Sequence, residues 1–207
     1  LAPQPNFYNP LSLQIPAVTQ DSIGCTPIDK TGLNTRFMNP GELEAVVALA
    51  RLAKPKVVVE FGVNEGRTAK ALMLNIDTIE RYVGIDVPQG YVTDKAVQRR
   101  EVPQQPAHFA LDDPRFRLLI ARRGSHDLAA DDLPKCDFVF IDGDHGRAGV
   151  VKDTLLATRI VRPGGIIAWH DYHHLGTVDV REVLEEYYDA GRPIQHVEGT
   201  WLAFMRV

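Results

Sequence analysis

Residues 136–172, CDFVFIDGDHGRAGVVKDTLLATRIVRPGGIIAWHDY, restrict the chain to a narrow set of folds. An apolar run from Phe138 to Ile141 stops at Asp142-Gly143-Asp144-His145, and a second, from Gly165 to Trp169, stops at His170-Asp171. Between them lies a helical pattern with apolar positions at Ala148, Val151, Leu155 and Ile160, closed by Arg162 and the breaker Pro163-Gly164-Gly165. The pattern predicts a strand, a helix and a strand. A right-handed crossover lays such strands parallel and brings both polar tips to one edge of the sheet. In open α/β sheets that carboxyl edge is where ligands bind. Two acidic clusters distant in sequence therefore meet in space, as a metal ion or an acid/base pair requires.

With 207 residues, 44% hydrophobic and 24% charged, the chain supplies one well-covered core rather than two. A net charge of -4, and no basic tract beyond Arg99-Arg100 and Arg122-Arg123, leave no electrostatic footprint for nucleic acid. No apolar run approaches the roughly 20 residues of a membrane span, and the N-terminus lacks the basic-then-apolar pattern of a secretion signal. The expectation is no nucleic-acid partner, no membrane partner and a cytoplasmic location. Cys25 and Cys136 are the only cysteines, so no disulfide framework organises the chain, and Cys136 reads as a small core residue.

Residues 1–36, rich in Pro, Asn, Gln and Thr without a sustained period, read as an extended arm preceding one domain over 37–207. The arm is expected as a partly ordered tail, with a lid or a homo-oligomer contact as the alternative. Asn39-Pro40-Gly41-Glu42 starts a helix from Leu43 to Leu52, with Ala45, Val46, Leu49 and Leu52 on one face. Lys56 to Phe61 is a β-branched run without alternation, as a central parallel strand requires. It leads into Gly62-Val63-Asn64-Glu65-Gly66-Arg67-Thr68 and a helix through Leu74. Glycines there permit a tight turn, and the helix N-terminus offers unpaired N–H groups to an electron-rich ligand. The spacing, preceded by Glu60, is not the Gly-x-Gly-x-x-Gly of dinucleotide enzymes, which disfavours a nicotinamide oxidoreductase.

The next strand, Tyr82 to Asp86, ends in an acid about twenty residues beyond the glycine turn, the position that commonly binds ribose hydroxyls. Residues 88–114 form a variable helix and loop at the ligand edge, and Phe116 to Ile120 makes a further strand. After it, Gly124-Ser125 either sets backbone N–H groups beside an adenine ring or forms an ordinary turn in which Ser125 caps a short helix. Val178 to Tyr188 reads as a helix, and Ile194 to Val197 with Trp201 to Met205 as a hairpin turning near Glu198-Gly199.

The order Val57-Val58-Val59-Glu60-Phe61-Gly62-Val63-Asn64-Glu65-Gly66, then Gly84-Ile85-Asp86, Phe138 to Asp142 and Arg162-Pro163-Gly164-Gly165 resembles the class I, Rossmann-like S-adenosylmethionine-dependent methyltransferases over residues 40–207. Ile141-Asp142-Gly143-Asp144-His145 and His170-Asp171-Tyr172 resemble the small-molecule O-methyltransferases, especially the subset acting on sugar or macrolide hydroxyls and related to cephalosporin-hydroxylase-type proteins. The resemblance implies an α/β, doubly wound sheet of seven strands, mostly parallel with an antiparallel C-terminal hairpin, covered by helices on both faces.

It further implies S-adenosylmethionine as cofactor, with Glu60, Gly62, Asn64 and Gly66 around its methionine part. Asp86 would lie at its ribose, and Gly124, Ser125 and Asp142 would border its adenine and the transfer chamber. A divalent metal, magnesium in most relatives, would be held by Asp142, His170 and Asp171, with His170 departing from the usual acid toward softer ions. Asp144 or His145 would take the proton from a hydroxyl of a small sugar, natural-product or catechol-like acceptor, Asp144 matching the base of the sugar-modifying relatives. The plainer alternatives are solvated strand ends, a helix-dipole partner for Asp144 and a capping role for His145. His173 and His174 extend the cluster and are expected in a solvated loop, with additional ligands as the alternative. A metal-independent enzyme with a His/Asp base and a non-catalytic cofactor-binding subunit stay open. The acceptor pocket falls to the arm, residues 88–114 and the loop after Asp171, with Phe7, Tyr8, Tyr91 and Tyr172 as candidate ring contacts.

Overall fold

The computed structural model describes residues 15–34, 38–92, 102–173, 175 and 177–207. Strands rich in β-branched and aromatic residues form the parallel part of the sheet, which is covered on both faces at its centre. These are β2 (Val57–Phe61), β3 (Arg81–Asp86), β4 (Phe116–Ile120), β5 (Cys136–Ile141) and β6 (Val161–Trp169), all parallel to one another. A hairpin of β7 (Gln195–Val197) and β8 (Ala203–Arg206) adds antiparallel pairing, β8 against β6. The seven expected strands are joined by an eighth at the edge, β1 (Ala17–Val18), which pairs in parallel with β7. The resulting order is β1-β7-β8-β6-β5-β2-β3-β4.

Side chains alternate between the two faces. Val58, Phe138, Phe140, Ile166 and Ala168 join one core with α1 (Glu42–Ala53) and α2 (Arg67–Asn75). Val59, Phe61, Val139, Ile141, Ile167 and Trp169 join the other with α3 (Arg147–Ile160) and α4 (Val180–Asp189). Trp169 is wholly buried and its indole N–H donates to Thr154 Oγ1 at 3.0 Å. Cys136 is buried, and burial pushes its thiol up to about 12. No helix among the described residues is long and apolar enough to cross a membrane.

Three expectations change. The apolar stripe of α3 is not Ala148, Val151 and Leu155; Leu155 is 47% exposed, and the buried face carries Gly149, Val150, Asp153, Thr154, Leu156, Ala157 and Ile160. Polar residues with partners occupy part of the inward stripe, which displaces the apparent hydrophobic period. The described part of 88–114 contains turns and no helix. The arm residues from Ile15 onward contribute β1, and Ile15 and Ile23 are buried in the two cores. Phe7, Tyr8, Arg99, Arg100 and His174 lie outside the described residues.

Candidate active site

The chain leaves β2 toward β3 and β4 on one side, and β5 toward β6 on the other, so the carboxyl ends of β2 and β5 open a crevice where strand order reverses. Backbone pairing continues just past the strand ends. Gly62 N–H donates to Ile85 O at 2.9 Å, Asp142 N–H to Phe61 O at 2.8 Å and His170 N–H to Ile141 O at 3.0 Å. Gly62 has φ +81°, and a Cβ there would stand 2.0 Å from the Asp142 carbonyl oxygen. Only glycine fits between the two strand ends. Segment 102–110 folds over the following turn, where Ala107 N–H donates to Asn64 O at 2.7 Å and Phe109 N–H to Glu65 O at 3.0 Å. The cavity below it, open on one side, measures about 350 Å³.

One half of this cavity is lined by the glycine turn and the tips of β3 and β4. Glu60 is buried and accepts the Tyr82 hydroxyl at 2.7 Å. Burial pushes its carboxyl well up, the neighbouring Asp142 and Asp86 add to this, and the Tyr82 bond only partly offsets it. Asp86 accepts Asn64 N–H at 2.7 Å on one oxygen and Val87 N–H at 2.7 Å on the other. Burial still raises its carboxyl to about 6. Ser125, in a short 3-10 turn over Gly124–Asp127, is buried and bonds the side chain of Asp153 from α3. Asp153 is pushed up to about 7 by burial, and its Oδ1 has no hydrogen-bond partner.

The other half is a cluster of acids and imidazoles at the tips of β5 and β6. His145 Nε2 lies 2.8 Å from Asp171 Oδ2 and 3.8 Å from Asp142 Oδ1. Burial works against a charged His145, but the neighbouring Asp142 and Asp171 carboxylates prevail and lift it to about 10. His170 Nδ1 is 3.4 Å from Asp142 Oδ1 and 3.3 Å from Asp171 Oδ2, yet neither contact has hydrogen-bond geometry. Burial opposes ionisation of Asp171, but the 2.8 Å contact with His145 and the nearby His170 imidazole hold it well below the usual carboxylate range. Asp142, His170 and Asp171 each offer a ligand atom, all within 4.8 Å of one another, so this trio could hold a divalent ion.

Asp144 faces a different task. Its Oδ1 accepts Gly146 N–H at 2.8 Å, and Asp179 Oδ2 accepts Arg147 N–H at 2.9 Å, so these two carboxylates support the α3 N-terminus. His145 does not cap the helix.

Apart from Gly66, which is buried against Ala107, every residue singled out from the sequence for cofactor, metal or proton transfer lines the cavity. Tyr91 does too, whereas Tyr172 is buried in the core and its hydroxyl reaches Glu185 at 3.2 Å. His173, expected in solvent, is 4% exposed and packs on Trp201 with ring centroids 4.4 Å apart. Two buried acids escaped the sequence reading. Glu42 looked like an ordinary first-turn acid of a helix. Asp153 had a usable signal, since it sits three and four residues from Val150 and Ala157 on the inward face of α3.

A family model described as a methyltransferase domain matches residues 59–172. No curated protein matches the chain in sequence. Among solved structures, the cofactor-bound Rv0187 protein from MTB superposes with a TM-score of 0.58 at 17% identity, covering 91% of this chain and 85% of its own. An O-methyltransferase from Bacillus cereus in complex with SAH gives 0.55 at 13% identity, covering 86% of each chain. The O-methyltransferase TomG from Streptomyces achromogenes, involved in tomaymycin synthesis and solved with SAM, gives 0.53 at 13%, covering 82% and 81%. At these identities the likeness is one of fold.

Proposed function

Since the chain belongs to this methyltransferase-domain family, we propose that it moves the methyl group of S-adenosylmethionine to a hydroxyl of a small molecule, assisted by a divalent cation. The observation that carries this reading is the two-part cavity, with a nucleotide-type turn and Asp86 on one side and a carboxylate–imidazole cluster on the other. Asp86 at the tip of β3 would take the ribose hydroxyls, and Glu60 to Gly66 would hold the methionine part. Fit to a nucleoside is supported by the cavity volume of about 350 Å³, within the range of small-molecule sites.

In the reaction the acceptor oxygen bonds the methyl carbon as the carbon–sulfur bond breaks, leaving S-adenosylhomocysteine, and the hydroxyl proton must go to a base. The enzyme's task is alignment and proton removal. We assign the proton to His145 rather than Asp144, because Asp144 is engaged by Gly146 N–H while His145 Nε2 is oriented by Asp171. Two carboxylates hold His145 in its charged form. It becomes an acceptor only when their charge is neutralised.

The fit of the cation is supported by His170 Nδ1, a buried ring nitrogen without a hydrogen bond aimed between two carboxylates. Asp142, His170 and Asp171 would be the ligands. A cation bound there would lower the pKa of an acceptor hydroxyl and orient it. An acceptor of sugar, natural-product or catechol type is the class we propose, with Tyr91 and Trp201 as ring-contact candidates on the cavity wall.

The test combines calorimetry with S-adenosylhomocysteine and turnover on a library of sugars, catechols and phenols, each with and without a chelator. Binding, with turnover that EDTA abolishes and Co²⁺ or Mg²⁺ restores, is the expected result. Turnover indifferent to EDTA would favour the metal-independent His/Asp mechanism, and tight binding without turnover a non-catalytic subunit.

A further inference from the structure

Glu42, the first residue of α1, is wholly buried, yet its carboxylate is surrounded by donors. Oε2 accepts Asn39 N–H at 2.6 Å, while Oε1 accepts Asn39 Nδ2 at 2.9 Å and Trp201 N–H at 2.6 Å. His170 Nε2 stands 3.2 Å from Oε2, across 128 positions of sequence. A carboxylate saturated by N–H donors is an acceptor only. The proton on this side of the ring is therefore on His170 Nε2. His170 is wedged between the rings of Phe140 and Trp201, with centroids 6.4 Å away on each side.

This geometry fixes the rest of the ring. With Nε2–H spent on Glu42, Nδ1 is the nitrogen left to face Asp142 Oδ1 at 3.4 Å and Asp171 Oδ2 at 3.3 Å. Nδ1 is buried and has no hydrogen-bond partner among the described residues. A carboxylate behind an imidazole, directing the far nitrogen's lone pair outward, is the arrangement by which proteins orient a histidine ligand.

We propose that Glu42 is a positioning residue that sets the His170 tautomer, presents Nδ1 to a divalent cation held with Asp142 and Asp171, and thereby biases the site toward nitrogen-seeking ions such as Co²⁺ and Zn²⁺ over Mg²⁺. The inference rests on the cation reading above and deepens it. A nitrogen beside two carboxylate oxygens favours ions later in the first transition row, whereas Mg²⁺ prefers oxygen alone. The selectivity then depends on a residue that touches no ion.

The test titrates Co²⁺, Zn²⁺ and Mg²⁺ separately into wild type and Glu42→Gln by calorimetry, with S-adenosylhomocysteine affinity and thermal unfolding as checks of folding. The expectation is that wild type binds Co²⁺ more tightly than Mg²⁺. Glu42→Gln should lose about 10–100-fold in Co²⁺ affinity, with a smaller loss for Mg²⁺ and unchanged S-adenosylhomocysteine binding. Equal loss for both ions, or none, overturns the positioning role while leaving the cation site in place. No binding of any ion by wild type overturns the cation reading and this inference together. Should Glu42→Gln fail to fold, long-range ¹H–¹⁵N spectra of Zn²⁺-loaded wild type decide the matter. A proton on His170 Nε2 supports the proposal, and a proton on Nδ1 overturns it.

Discussion

His145 Nε2 and Asp171 Oδ2 are 2.8 Å apart, although they leave different strands, and this contact ties the loop after β5 to the tip of β6. Asp171 holds a left-handed backbone, φ +59°, so its side chain turns back over the crevice instead of following the strand.

If that contact orients the proton acceptor, His145→Ala lowers kcat by about 10²–10⁴-fold and leaves the affinity for S-adenosylhomocysteine nearly unchanged. Asp171→Asn should act in the same direction. Calorimetry and steady-state kinetics on the same preparations separate the two effects. A His145→Ala protein with wild-type kcat removes His145 from the chemistry.

Asp86 gives a prediction about binding alone. Its two oxygens are held by Asn64 and Val87 N–H groups at the tip of β3. Replacing it with Ala should weaken S-adenosylhomocysteine binding by about 1.5–3 kcal/mol, as expected for charged hydrogen bonds, and raise KM for S-adenosylmethionine in proportion. An unchanged dissociation constant would show that the ribose is held elsewhere.

The Asp153 carboxyl makes stability depend on pH. Burial raises it from 3.8 to about 7, so the folded protein binds its proton more tightly than the unfolded chain does. Stability from this group is complete below the unfolded value and is lost as pH rises toward 7. Asp153→Asn lacks the penalty. Urea unfolding should therefore find the variant more stable than wild type at pH 8, by about 1–4 kcal/mol, and the gap should shrink at pH 5. A gap independent of pH would place the proton elsewhere.

Gly62→Ala should be among the most damaging single substitutions. The added carbon meets backbone at 2.0 Å on the neighbouring strand end, at a φ that side chains avoid. Neither atom can move without parting β2 from β5. A loss above about 3 kcal/mol in denaturant unfolding is expected.

Adjacent leucines of α3 test which way that helix faces. Leu155 is 47% exposed and Leu156 is 3% exposed. Leu155→Gln should stay within about 0.5 kcal/mol of wild type, while Leu156→Ala should cost about 2–4 kcal/mol. The reverse ranking would mean that the helix is rotated.

The central strands β2 and β5 were legible because burial on both faces demands nearly unbroken apolar runs, whereas the edge strand β4 is half exposed and reads as a strand despite Arg117. The acidic tips were legible because strand ends at one edge must gather. The face of α3 was not, since Asp153 and Thr154 replace apolar residues where a ligand pocket and Trp169 need polar partners. Glu42 was illegible for another reason. Its partners, His170 and Trp201, are far along the sequence, and no local pattern distinguishes a buried anchor from a surface acid that starts a helix. His173 likewise looks polar in sequence, but the ring of Trp201 covers it.

The Trp201 backbone reaches Glu42 with its N–H and receives the Tyr172 N–H on its carbonyl. One residue of the β7–β8 connection therefore bridges the start of α1 and the residue that follows Asp171, so any shift of that connection is passed to the two sides of His170 at once.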